Sequence, residues 1–230
     1  MARIILVRHG QASFGAADYD CLSSTGEEQA RHLGRVLKAR GETVDTLWTG
    51  GMRRHRQTAE GLLEGLGAVA GREPLPGFNE FDHQQVIARH EPRYADHGAM
   101  SADLASAANP RETFAAMFRA AMARWTAGAH HDYDESWAQF QGRCVQALEQ
   151  VASEARGEQP HLVVTSGGVI SVIAQALLGL SDEKALRVNW TLANASVSCV
   201  QTTSRGERML LSLNEHGHFR GDTQHLLTWR

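Results

Sequence analysis

Residues 162–170 read LVVTSGGVI: a stretch suited to a buried strand, then Ser166, two glycines and the start of an apolar helix. A strand that turns through Ser-Gly-Gly leaves backbone N–H groups free at the positive end of the helix that follows, and an anion is stabilised there. The stretch predicts a strand over His161 to Thr165, a buried helix over Gly167 to Leu178, and a phosphate-binding turn between them.

The same alternation of strand and helix runs outward from it. Arg3 to Arg8 (RIILVR) is nearly all apolar and rich in β-branched residues, which suits a central strand covered on both faces. Ser23 to Arg40 reads as a helix, with Ser24 or Thr25 as cap, Glu27 or Glu28 three residues on, and Ala30, Leu33 and Leu37 on one face. Asp45 to Thr49 is a second strand and Arg53 to Leu66 a second helix. Trp137, Phe140, Cys144, Leu148 and Val151 share one face of a later helix. Ser196 to Thr203 and Arg208 to Asn214 form a hairpin around Ser204-Arg205-Gly206-Glu207. The pattern predicts an α/β protein, a three-layer α/β/α sandwich with a mostly parallel central sheet. Residues 1–230 read as a single domain, interrupted at about 80–133 by a lid or insertion over the carboxyl ends of the strands. Phe114, Met117, Phe118, Ala121, Met122 and Trp125 make that insertion mostly helical.

Composition narrows the function classes. A hydrophobic content of 42% and a charged content of 21% are those of a soluble globular protein. No apolar run approaches the roughly 18 residues of a membrane-spanning helix, and Arg8 and His9 break the N-terminal apolar run as no signal peptide would. Cys21, Cys144 and Cys199 have neither disulfide-framework nor zinc spacing, which points to a reducing cytoplasm. A formal net charge of −3 argues against general nucleic-acid binding. Among the basic residues only Lys38 and Lys184 are lysines; arginine grips phosphate in a bidentate way, although compositional bias explains most of the excess.

In open α/β sheets ligands bind at the carboxyl ends of strands. Here those ends read Arg8-His9-Gly10-Gln11, Thr49-Gly50-Gly51-Met52-Arg53-Arg54-His55-Arg56 and Thr165-Ser166-Gly167-Gly168. Arginines at the start of a helix face its positive dipole end, so either a solvated basic turn or a bound anion offsets them. Arg8 and the Gly167 turn would face the same anion. His9 is the natural nucleophile, because a neutral imidazole attacks phosphorus near neutral pH and neighbouring arginines keep it neutral.

LVRHGQ (residues 6–11), LSSTGEEQA (22–30), MRRHRQTAE (52–60) and the later strand–Gly-Gly–helix together resemble the histidine phosphatase superfamily, also called the phosphoglycerate mutase-like family. The resemblance spans nearly the whole chain in the right order. It implies a phosphohistidine on His9, with Arg8 and Arg54 gripping phosphate and Arg53 and Arg56 facing elsewhere. It places the general acid in Phe78-Asn79-Glu80-Phe81-Asp82-His83, at Glu80, with Asp82 as the alternative and His83 as a pocket-lining or simply exposed loop residue. Gln11 and Ser13 are further pocket candidates. No cofactor or metal is needed by this chemistry. The implied ligand is a small phosphorylated molecule or inorganic phosphate, with no nucleic acid or membrane partner, and the sequence sets no oligomeric state.

The departures carry equal weight. The family usually ends its later strand Ser-His-Gly-Gly, and here Ser166 stands at the histidine position. A serine hydroxyl donates one hydrogen bond without a cationic charge, so Ser166→His is expected to raise the rate if the serine is a degraded phosphate donor. Mutases of the family read Glu-Ser-x-Trp-Asn where this chain has Gln11-Ala12-Ser13-Phe14-Gly15, and follow the acid with Arg-His-Tyr-Gly, which is absent. The resemblance therefore favours a phosphomonoesterase over a phosphate-binding protein of weak or no activity, and over a phosphoglycerate mutase. Within the insertion, Arg89, His90, Arg93 and His97 offer a surface for a polyanion or a solvated face, the latter being the simpler account. His130-His131-Asp132-Tyr133-Asp134 resembles a crude metal cluster, but adjacent histidines on a helix point apart.

Overall fold

A computed structural model describes residues 3–13, 20–44, 46–67, 74–154, 160–203 and 205–229, without the His97 side chain. Asp45, Phe14, Gly15 and Ser204, which figure in the expectations above, lie outside the described residues. The chain divides into two compact units, Met1–Glu80 with Arg143–Arg230, and Phe81–Gly142.

The first unit is built on five strands: β1 (Arg3–Arg8), β2 (Thr46–Thr49), β3 (His161–Thr165), β4 (Val197–Thr202) and β5 (Arg208–Glu215), in the order β2-β3-β1-β4-β5. The pairs β2–β3 and β3–β1 are parallel; β1–β4 and β4–β5 are antiparallel. The sheet is thus mixed, parallel through its three site-bearing strands, with the expected hairpin forming one edge. Side chains alternate across a strand. Ile5 and Val7 join one core cluster with Leu33, Leu37, Ala59 and Leu62 from the two helices that follow, α1 (Ser24–Ala39) and α2 (Arg53–Leu66). Ile4, Leu6 and Val163 face the other way and are equally buried, so both faces of the sheet are covered.

Helix ends explain where the strands can stop. The cap of α1 is Ser23, whose hydroxyl accepts from Gly26 N–H, one or two residues before the Ser24 or Thr25 expected. Towards the C-terminus come α6 (Trp137–Glu154), α7 (Gly167–Leu178) and α8 (Asp182–Thr191), the last capped by Ser181 and not singled out by periodicity. Helix α7 is buried from Gly167 through Gln175 and ends on Gly179 in the left-handed conformation.

The second unit contains α3 (His83–His90), α4 (His97–Ser106) and α5 (Pro110–Thr126), with the expected helical stretch inside it. Its aromatic centre sets Phe81 against Trp125 at 4.9 Å between ring centroids and Trp125 against Trp137 at 5.1 Å. The basic residues weighed for a polyanion do not share one helix: α3 ends at His90 and Pro92 opens a 3₁₀ turn holding Arg93. Arg93 pairs with Glu91 and Asp103, and Arg89 with Asp134. Asp132, of the crude metal cluster, accepts two hydrogen bonds from Arg124. Among the described residues no helix is long and apolar enough to cross a membrane.

Candidate active site

The register of the three parallel strands brings their carboxyl ends level. Arg8 lies opposite Thr165 and Thr49 opposite Val164, so His9, Gly50 and Ser166 leave the sheet side by side. His9 donates its backbone N–H to Thr165 O at 2.8 Å, which holds the nucleophile candidate against β3 after the strand ends. The next residue is fixed from the other side. Gly10 N–H donates to Thr58 Oγ1 at 3.0 Å, and that hydroxyl donates to Arg54 O at 2.7 Å. A Cβ on Gly10 would stand 2.4 Å from Gly26 O, so only glycine lets the turn meet the start of α1.

His9 is 7% exposed. Its Nδ1 lies 2.7 Å from Gly10 O, an acceptor that draws the ring proton to Nδ1 and leaves the Nε2 lone pair for an electrophile. Burial pushes its pKa well below 6.5, and the charges of Arg54 and then Arg8, with the neighbouring His55, act in the same direction against the Gly10 hydrogen bond. A buried, neutral imidazole with one free nitrogen is a competent nucleophile at neutral pH.

Arg54 is 4% exposed and Arg53 and Arg56 are exposed, as their neighbouring positions on α2 require. The anion expected at this helix start is in part internal. Asp20 accepts Arg53 N–H and pairs with Arg54 Nη1, both at 2.8 Å, so its carboxylate caps α2 and offsets the arginine crowding. Arg8 donates to the Leu192 carbonyl, and its Nε borders Gly167. A Cβ on Gly167 would stand 2.4 Å from Asn189 Oδ1, which brings Asn189 into the neighbourhood of Arg8.

Glu80 reaches the same turn. Its Oε2 accepts Gly168 N–H at 3.1 Å, so the carboxylate takes one of the helix-start donors. The loop that delivers it is pinned by Thr165 Oγ1 donating to Phe78 O at 2.7 Å and by Arg143 Nη1 donating to Asn79 O at 2.7 Å. Asp82 is employed differently. Its carboxylate accepts Gln84 and Gln85 N–H, capping α3, and His83 is the first residue of that helix. Gln11 and Ser13 are engaged in loop closure. Gln11 O and Oε1 accept from Ser23, and Ser13 Oγ donates to Leu22 O.

Residues 4–111 and 105–215 match the histidine phosphatase superfamily, branch 1. The chain belongs to the histidine phosphatase superfamily. A curated relative, the phosphoglycerate mutase of Candida albicans, is 36% identical over 70 residues, a match spanning 28% of this chain and 28% of that protein. Among solved structures, Bacillus stearothermophilus YhfR superposes with a TM-score of 0.65 at 18% identity, covering 96% of this chain and all (100%) of that one. Phosphoserine phosphatase from Entamoeba histolytica, solved with phosphoserine, gives 0.62 at 16%, covering 96% of this chain and 100% of that one. Mycobacterial glucosyl-3-phosphoglycerate phosphatase gives 0.59 at 23%, covering 92% and 98%. At these identities the structural likeness concerns the fold.

Against the pattern of histidine phosphatases, the position of Ser166 gains a new feature. Ser166 is 0% exposed, and its Oγ lies 2.7 Å from His55 Nε2. His55 is itself 0% exposed, with its ring centroid 5.7 Å from that of His9. Burial drives the His55 pKa down to about 3, with Arg54 helping and the Gly50 backbone opposing, so this ring is neutral. Sequence reasoning passed over His55 as one more residue of a basic turn. The signal that could have flagged it was its place directly after Arg54, on the inward face of α2. Among the described residues no group of three or more acidic, histidine or cysteine side chains is placed to hold a metal ion.

Proposed function

We propose that this chain is a phosphomonoesterase that hydrolyses a small phosphorylated substrate through a phosphohistidine on His9. The observation that carries the reading is the state of His9: buried, neutral, with Nδ1 committed to Gly10 O, beside Arg54 and Arg8. His9 Nε2 forms a bond to phosphorus as the bond to the leaving oxygen breaks, and Glu80 gives that oxygen a proton. Glu80 then takes a proton from water as the water oxygen attacks phosphorus and the P–N bond breaks, releasing phosphate. Arg54 and Arg8 stabilise the charge on the transferring group. Gln11-Ala12-Ser13-Phe14-Gly15, where mutases of the family read Glu-Ser-x-Trp-Asn, supports this class over the mutase. The three cysteines form no disulfide, which supports a reducing cytoplasm as the place of work.

An aryl phosphate assay at mildly acidic to neutral pH tests the reading. Turnover that His9→Ala abolishes, with an acid-labile phosphoryl group trapped on the wild-type protein, is the expected result. Equal rates from both proteins would overturn it. One observation favours a second reading, a phosphate-binding protein with weak turnover: the Ser166 hydroxyl is occupied by His55. Phosphate binding without any trapped phosphohistidine would select that reading.

A further inference from the structure

The His55 ring touches the carboxyl ends of all three parallel strands. A Cβ on Gly50, at the end of β2, would stand 2.3 Å from His55 Nδ1, so that edge of the ring rests on the Gly50 backbone. The opposite edge meets Ser166 Oγ after β3, at 2.7 Å. The ring lies 5.7 Å from the His9 ring after β1, at an interplanar angle of 36°. A neutral imidazole carries one proton, and the ring tautomer sets whether His55 Nε2 or the Ser166 hydroxyl donates across the 2.7 Å contact. In either tautomer the Ser166 hydroxyl is engaged with His55.

Two polar side chains buried completely, 111 positions apart, are costly unless they bond to one another. An apolar pair would fill the same space more simply, so packing alone is a poor account of them. We propose that His55, locked by Ser166, is a positioning residue for His9: it fixes the ring plane in which His9 Nε2 meets phosphorus. The inference rests on His9 as nucleophile but concerns a ring geometry that can be measured without turnover.

Ser166→Ala removes the lock and His55→Phe keeps a ring without the hydrogen bond; His55→Gln retains an amide that can still bond Ser166. Ring NMR of His9 in the folded variants is expected to show the single ring orientation of the wild type giving way to shifted, exchange-broadened resonances in Ser166→Ala and His55→Phe, with recovery in His55→Gln. With an aryl phosphate, the rate of His9 phosphorylation falls about 10²-fold in the first two, the size of effect a misplaced reacting group produces. KM stays within about threefold, since the loss falls on the transition state. The double variant is no worse than either single one, because both break one device. Unchanged His9 resonances in folded variants, or a loss confined to thermal stability, would overturn the proposal. If the wild type neither turns over nor forms phosphohistidine, the phosphatase reading fails, and the His9 ring resonances alone decide this one.

Discussion

Arg54 acts on His9 twice over, and the two effects have different signatures. In the proposed reaction it faces the transferring phosphoryl group, and its own charge helps hold His9 below its ordinary pKa, second only to burial. Arg54→Ala is therefore expected to lower kcat/KM about 10²- to 10³-fold, as loss of a transition-state donor does. It should also move the acid limb of the pH–rate profile upward, because His9 loses a neighbour that keeps it neutral. In the wild type that limb lies well below 6.5. The Asp20 carboxylate left behind is more than one-third exposed, at 38%, so water rather than protein compensates it and folding changes little. A profile that loses height without shifting would show that Arg54 serves only the phosphate.

At the scale of elements, α2 explains why arginine, glutamine and threonine recur in one short motif. Gln57 Oε1 accepts Leu22 N–H, Thr58 Oγ1 accepts Gly10 N–H, and Arg54 reaches Asp20, so one helix ties down the turn after β1 and the entry to α1. Thr58→Val keeps the shape but strands a buried N–H, which costs about 1–3 kcal/mol. Urea unfolding should show that loss, and a midpoint equal to wild type would mean Gly10 finds another acceptor. The extents of α2, β3 and α7 were legible in the sequence because their apolar periodicity is local. The family motif likewise placed His9 after a strand, Arg54 at a helix start and Glu80 in a loop without a structure. The bond between His55 and Ser166 was not legible, since no local pattern reports a contact across two elements. It changes one expectation. Ser166→His puts an imidazole where the His55 ring already sits, and overpacking a core costs about 1–3 kcal/mol. The single variant is now expected to lose stability and activity, with Ser166→His/His55→Ala recovering stability by freeing that space. A faster, equally stable Ser166→His enzyme would restore the idea of a degraded phosphate donor.

Across the whole chain, the same burial that readies His9 makes folding sensitive to acid. His9, His55 and His218 all have pKa values lowered in the folded state, His55 to about 3 and His218 to about 4, chiefly by burial. Above 6.5 both folded and unfolded chains hold these rings neutral, and they add no pH dependence. Below 6.5 the unfolded chain takes up protons that the folded one refuses, so stability falls with falling pH until each folded pKa is reached. Each ring contributes a slope of about 1.4 kcal/mol per pH unit in that window. Three rings together would consume a typical stability of about 5–15 kcal/mol within a few pH units. Urea midpoints are expected to be flat near pH 7–8 and to drop steeply between about 6 and 4. His55→Phe, which cannot take up the proton, should lower the slope by one ring's share while leaving the others in place. An acid limb unchanged by that substitution would mean that the ring is hydrated in solution and does not carry the burial assigned to it.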